Sequence, residues 1–171
     1  MDLTMLSQVA QILGGVAVVI AIVFGITQIR QFQQQRLDSA ALELMRTLQD
    51  REFTHAFRLI YPIAGSVDRD ALLALGPEHE DAAISLGSRL EAMGLLVFRG
   101  SIPIDLVEEM IGGTAVLLWR QLRPWVEQLR SEKNHQLLFE WFQWLAERLD
   151  ERDRLQQVPA YRRYKDWKSP P

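Results

Sequence analysis

From Leu3 to Ile29 no residue carries a charge, and from Ile12 to Ile26 every position is apolar or glycine. This run constrains the chain more than any other feature. A helix rises 1.5 Å per residue, so about 20 such residues cross a hydrocarbon core of about 30 Å. A buried core helix is the competing reading, but the rest of the chain is rich in charge and the run is too long for it. A cleavable signal peptide would need a basic stretch before the apolar run. Here Asp2 is the one charged side chain upstream, and the first basic residues, Arg30 and Arg36, follow the run. The expectation is a single transmembrane helix near the N-terminus.

Basic residues are retained on the cytoplasmic side of a span, which places the N-terminus outside and the C-terminal domain in the cytoplasm. Within the span, Ala10, Gly14, Ala17, Ala21 and Gly25 recur at spacings of four, three, four and four, along one stripe of a helix. Small stripes let two backbones approach closely in lipid, so self-association into a homo-oligomer is expected through them. No ionisable group lies between Asp2 and Arg30, which argues against a proton-coupled motor subunit or transporter.

The 171 residues leave room for one domain beyond the anchor. Cysteine is absent, so neither a disulfide framework nor a thiolate metal site exists. A formal net charge of −3 gives no general attraction to nucleic acid. Three parts follow: an N-terminal segment and span over 1–30, a cytoplasmic helical domain over 31–155, and a basic, aromatic tail over 156–171.

After the span nothing between Gln28 and Asp50 stops a helix, and Ile29, Phe32, Leu37, Ala41, Leu44 and Leu48 keep near-helical spacing. One long helix to about residue 50 is predicted. A second covers about 52–61, ended by Pro62, with a loop over Pro62 to Val67. Asp68 can cap a short helix ending at Gly76. Pro77 then opens a helix to about Phe98, with Ala83, Leu86, Leu90, Met93 and Val97 as its core stripe. Arg99 and Gly100 suit its end. The pattern predicts one helix over Ile104 to Ile111, closed by Gly112-Gly113. Another runs over Thr114 to Arg130, kinked or broken at Pro124, and a last one over about Asn134 to Leu155. Leu138, Trp141, Phe142, Leu145 and Leu149 form the buried face of that last helix. No strand alternation appears. The fold class is all-α: an N-terminal transmembrane helix continuing into a small cytoplasmic helical bundle.

Reactive constellations are sparse. His55, His79 and His135 do not pair at helical metal spacing, and no His-Glu-x-x-His run exists. Glu108-Glu109 and Glu78, Glu80 and Asp81 read as solvated charge. No phosphate loop or serine elbow is visible. No enzyme activity and no cofactor is expected. Trp119, Trp125, Trp141 and Trp144, with Phe142, form an aromatic cluster that reads as core or as an interface to a partner or another copy. The tail carries Arg162, Arg163, Lys165 and Lys168 against Asp166, with Tyr161, Tyr164 and Trp167 interleaved. With Arg30 and Arg36, the residues Arg162, Arg163, Lys165 and Trp167 are candidates for contact with the membrane surface or a neighbouring subunit.

Between Arg89 and Leu149 a set of features stands out: Glu91, Gly94-Leu95-Leu96-Val97, Gly100, Trp119, Trp125 and Arg130. The block Phe139-Glu140-Trp141-Phe142-Gln143-Trp144-Leu145-Ala146 completes them. In these the chain resembles a bacterial family of single-span, membrane-anchored helical proteins known only as a domain of unknown function. The resemblance implies a fold, an anchor and a bacterial inner (cytoplasmic) membrane, and it brings no catalytic residue. The expected role is a membrane-anchored, non-enzymatic scaffold that self-associates through its span and offers a helical domain to a cytoplasmic protein partner. The alternative is an oligomeric membrane effector forming or gating a pore, its mouths lined by Ser7, Gln11, Thr27 and Gln28.

Overall fold

The computed structural model describes residues 3–155 and 158–168; the side chains of residues 3–14, 16, 17, 19, 30, 33, 34, 36, 37 and 153–155 are outside the description. The described residues form helices and no strand, as the periodicity predicts. The chain divides into two units, 1–42 and 43–171.

The first unit is most of α1, Leu3–Gln49, a helix of 47 residues without a break. At 1.5 Å per residue it is about 70 Å long. Across the described residues no helix is long and apolar enough to cross a membrane. The undescribed side chains fall heavily on the apolar half of α1, so much of the run read from the sequence lies outside that description. Those that are described from Val18 to Phe32 stand open: Ile20 is 63% exposed, Phe24 66% and Ile29 60%.

The second unit begins in the last two turns of α1, where Leu44 is buried. It continues through α2 (Arg51–Ile60), α3 (Arg69–Leu75), α4 (Pro77–Phe98), α5 (Ile104–Glu132), α6 (Glu140–Leu155) and α7 (Ala160–Arg163). Helix α4 is the central element, packing against α2, α3 and α6, while α6 also lies along α5. The whole predicted stripe of α4 is buried: Ala83, Leu86, Leu90, Met93 and Val97. Local signals set its ends. The Asp68 carboxylate accepts a bond from the Ala71 N–H at 2.9 Å and starts α3, and Pro77 occupies the first turn of α4. Gly100 takes φ +68° and closes α4. Its N–H reaches the Val97 carbonyl, and the next N–H, of Ser101, reaches Leu96.

Two boundaries differ from the sequence reading. Helix α5 runs straight through Gly112-Gly113 and through Pro124. Gly112 is buried beside Glu108 and Leu149, Gly113 is exposed, and neither ends the helix. Pro124 lacks an N–H, which opens the ladder there. The gap is filled from outside: the Val67 N–H donates to the Gln121 carbonyl at 2.8 Å, and the Trp125 N–H donates to the Val67 carbonyl at 3.1 Å. Val67 thus bridges the rung between Gln121 and Trp125 that the proline opens. Gln121 adds side-chain bonds to the carbonyls of Ile63 (2.6 Å) and Tyr61 (3.3 Å), clamping the 61–67 loop onto the break. The second difference is the start of α6 at Glu140, not near Asn134. Asn134 and Phe139 both adopt left-handed φ, 47° and 56°, so residues between them form turns. The left-handed Phe139 is buried, with its ring against Trp125.

At Gly94 of α4 an added Cβ would overlap the carbonyl of Trp141, a backbone group that cannot swing aside. Gly94→Ala is therefore expected to lower domain stability by about 1–3 kcal/mol, the usual cost of overpacking. At Gly113 a methyl would meet nothing within 4 Å, so Gly113→Ala should gain about 0.5–1 kcal/mol. Denaturant melts of the two variants in one detergent check the opposite signs.

Candidate functional site

The most closely fitted region of the domain is the seam where α4 receives the start of α6. Gly87, Glu91 and Gly94 lie four and three residues apart and so share one face of α4. Gly87 leaves room for the Phe139 ring, and Gly94 admits the Trp141 backbone. Between them the Glu91 carboxylate accepts a hydrogen bond from the Phe142 N–H at 2.7 Å. The first N–H groups of a helix have no partner within it, so Glu91 caps α6 from a neighbouring helix. Burial pushes the Glu91 carboxyl above the usual carboxylate range, against the opposing pull of the Phe142 and Trp141 N–H groups. Arg130 of α5 braces the same turn, its Nε donating to the Leu138 carbonyl (2.9 Å) and Nη1 to Gln143 Oε1 (2.8 Å).

The four tryptophans singled out from the sequence separate into two kinds. Trp119 and Trp125 are core residues, 6% and 0% exposed, with Trp119 edge-on to Phe142 and Trp125 tilted over Phe139. They offer no surface to a partner, which corrects that part of the expected interface. Trp141 and Trp144 are half-buried and join a residue the sequence reading passed over. Phe98, 58% exposed, sits 4.6 Å from Trp141 and 5.7 Å from Trp144 between ring centres. The missed signal was its place at the end of α4, one residue past the core stripe and on a different face.

A second feature not foreseen is an open cleft of about 480 Å³ between the 61–66 loop and α5, lined by Tyr61, Ile63, Leu117, Arg120 and Gln121. It follows from the proline break, which draws the loop onto α5. Pro124 was visible as a kink, but nothing local named Val67 as its filler. Arg120 is engaged there with Asp150 at 2.6 Å.

In the span stripe, Ala21 is exposed and Gly25 half-buried, while the side chains of Ala10, Gly14, Ala17, Arg30 and Arg36 lie outside the described residues. Thr27, read as a pore-mouth residue, bonds the Phe24 carbonyl of its own helix at 2.8 Å. In the tail, Tyr161, Tyr164 and Trp167 are 72%, 56% and 67% exposed. Arg162 and Arg163 lie over the rings of Tyr161 and Tyr164, at 5.5 and 5.9 Å, and Lys165 is 4.0 Å from Asp166. Among the described residues no group of three His, Asp or Glu side chains is placed to hold a metal.

Fold and seam define a small all-α domain whose close contacts are packing and capping contacts. The chain belongs to the DUF4760 family, a domain of unknown function, whose pattern matches residues 15–149. No curated protein and no solved structure matches it. The match takes in the second half of the apolar run and the Glu91 seam, and ends before the tail.

The Glu91 cap has a pH signature. Its folded pKa lies above the ordinary 4.5, so the folded domain holds this proton more tightly than the unfolded chain. The contribution to stability is full below pH 4.5 and declines as pH rises through the folded pKa. Glu80, held low by the Arg69 hydrogen bond, has the opposite sign and is lost as pH falls. Glu91→Gln keeps an acceptor for Phe142 without the buried charge. Its stability relative to the native chain should therefore improve as pH rises from about 4 to about 7, across and above the range where carboxylates titrate. Glu91→Ala, which removes the cap, should cost about 1–2 kcal/mol. Thermal melts across that pH range read both.

Proposed function

We propose that this protein is a membrane-anchored, non-enzymatic interaction protein. Its single span holds it in a bacterial inner membrane, N-terminus out, and self-associates through the Ala10, Gly14, Ala17, Ala21 and Gly25 stripe. The helical domain then stands in the cytoplasm and offers the Phe98, Trp141 and Trp144 face to a protein partner.

The observation that carries this reading is the state of α1 between Val18 and Phe32. Its described large apolar side chains are from 48% to 66% exposed. A continuous apolar surface of that kind is unstable in water and marks contact with lipid or another protein. The charge-free run from Leu3 to Ile29 is long enough for lipid, and α1 keeps its backbone bonds internal throughout, as a spanning segment must. The seam residues support a structural role, since each of Gly87, Glu91, Gly94 and Arg130 is engaged in packing or capping within the domain.

The absence of cysteine makes the topology directly measurable. Asp2→Cys should react with an impermeant maleimide from outside intact cells, and Ser131→Cys only after permeabilisation. The protein should also stay with membranes through alkaline carbonate. Labelling of Ser131→Cys in intact cells, or release by carbonate, contradicts the reading. Replacing Gly14 and Gly25 together by Leu should reduce the oligomeric mass of the full chain in detergent. An unchanged mass would move the self-contact away from the stripe.

A further inference from the structure

We propose that the C-terminal segment around α7 is a second membrane contact, one that recognises the anionic headgroups of a phospholipid bilayer. This rests on the anchored reading above for the closeness of a bilayer, but its chemistry is its own.

The segment is set apart from the domain in charge. Four basic residues, Arg162, Arg163, Lys165 and Lys168, stand against Asp166, a net of +3. The whole chain is −3, so the remaining residues sum to −6. Several arginines of the domain are ion-paired within it. Arg69 pairs with Glu80 and Glu132, Arg89 with Asp50 and Glu52, and Arg152 with Asp105 and Glu108. In the tail, Arg162 and Arg163 lie over the tyrosines next to them, Arg163 also donates to the Val158 carbonyl at 3.2 Å, and the Lys165 side chain, 4.0 Å from Asp166, is 74% exposed.

The apolar half of the segment is equally open. Val158, Tyr161, Tyr164 and Trp167 are each about half exposed or more, and among the described residues no ring contact joins these aromatics to the domain's aromatic core. Tyrosine and tryptophan favour the membrane–water interface, where one end of the ring is apolar and the other wet. Basic residues interleaved with them add attraction to an anionic leaflet within a Debye length. A protein partner for the same surface would have to be acidic as well as aromatic-binding; an anionic bilayer supplies both properties without a shaped pocket. The segment also lies beyond residues 15–149, which the family pattern matches. Anchoring through α1 raises the effective concentration of bilayer at the tail, so weak individual contacts suffice.

The test uses the full chain with Ala160→Cys, an exposed site unique in a cysteine-free protein, carrying an environment-sensitive dye. The protein is placed in nanodiscs of phosphatidylcholine and in discs where a third of the lipid is phosphatidylglycerol. The expected result is a blue shift in the anionic discs alone. High salt should reverse it, and so should Arg162→Glu, Arg163→Glu and Lys165→Glu combined. Equal emission in both discs overturns the proposal. So does a salt-independent shift that follows the number of chains per disc, which assigns the surface to a neighbouring copy. If the chain fails to insert, the anchored reading falls by itself. The tail is then read by flotation with vesicles of the same two compositions. Binding to the anionic vesicles, weakened at least about tenfold by the triple variant, upholds the proposal. No flotation overturns it.

Discussion

The domain depends on the close approach of α4 and the first turn of α6. Gly94 lets the Trp141 backbone come to where any side chain would stand, and the same approach brings Glu91 within 2.7 Å of the Phe142 N–H. Each makes the other necessary. Without the glycine the helices separate, and without the carboxylate the buried helix start keeps unpartnered N–H groups. The left-handed Phe139 belongs to the same arrangement, because the sharp turn before α6 drops its ring into the space that Gly87 leaves. A non-glycine residue at positive φ is costly, and here the burial of a phenylalanine against Trp125 offsets it.

From that seam the rest of the bundle is placed. Phe142, Leu145 and Leu149 are fixed against α4 and α5, and Trp119 closes edge-on over Phe142. On the far side of α5 the Pro124 gap takes Val67 as its filler and so positions the 61–67 loop. Midway along α4, Arg89 pairs with Asp50 and Glu52, holding the start of α2 against the centre of the domain. Glu91, Gly94, Trp119, Trp125, Arg130 and the block from Phe139 to Ala146 all lie within residues 15–149 of the family match, and they make these joints.

Legibility in the sequence followed the range of the interactions. The α4 stripe, the Asp68 cap, the Pro77 start and the Gly100 stop were readable because each is decided within a turn or two. The run through Gly112-Gly113 was not, since Gly112 is covered by Leu149 from α6, a contact with no local sign. The late start of α6 was hidden for a similar reason: the apolar spacing from Leu138 onward is helical, while the left-handed turn is imposed by Gly87 and Trp125. Periodicity likewise marked Trp119, Trp125, Trp141 and Trp144 as one group and could not tell the buried pair from the pair that meets Phe98. Glu91 stood out as a feature of the family, but its partner lies 51 residues away and its capping role had no local sign.

Native-state hydrogen exchange at the Phe142 amide, in the full chain in detergent, tests the seam most directly. Amides in the first turn of a helix ordinarily exchange quickly, because nothing within the helix holds them. Capped by Glu91 and pressed against Gly94, Phe142 should instead exchange only with global unfolding, at the rate of the α4 core amides such as that of Leu90. Exchange at the rate of a frayed helix end would mean that α6 is not pinned to α4, and the account of the domain would fail there.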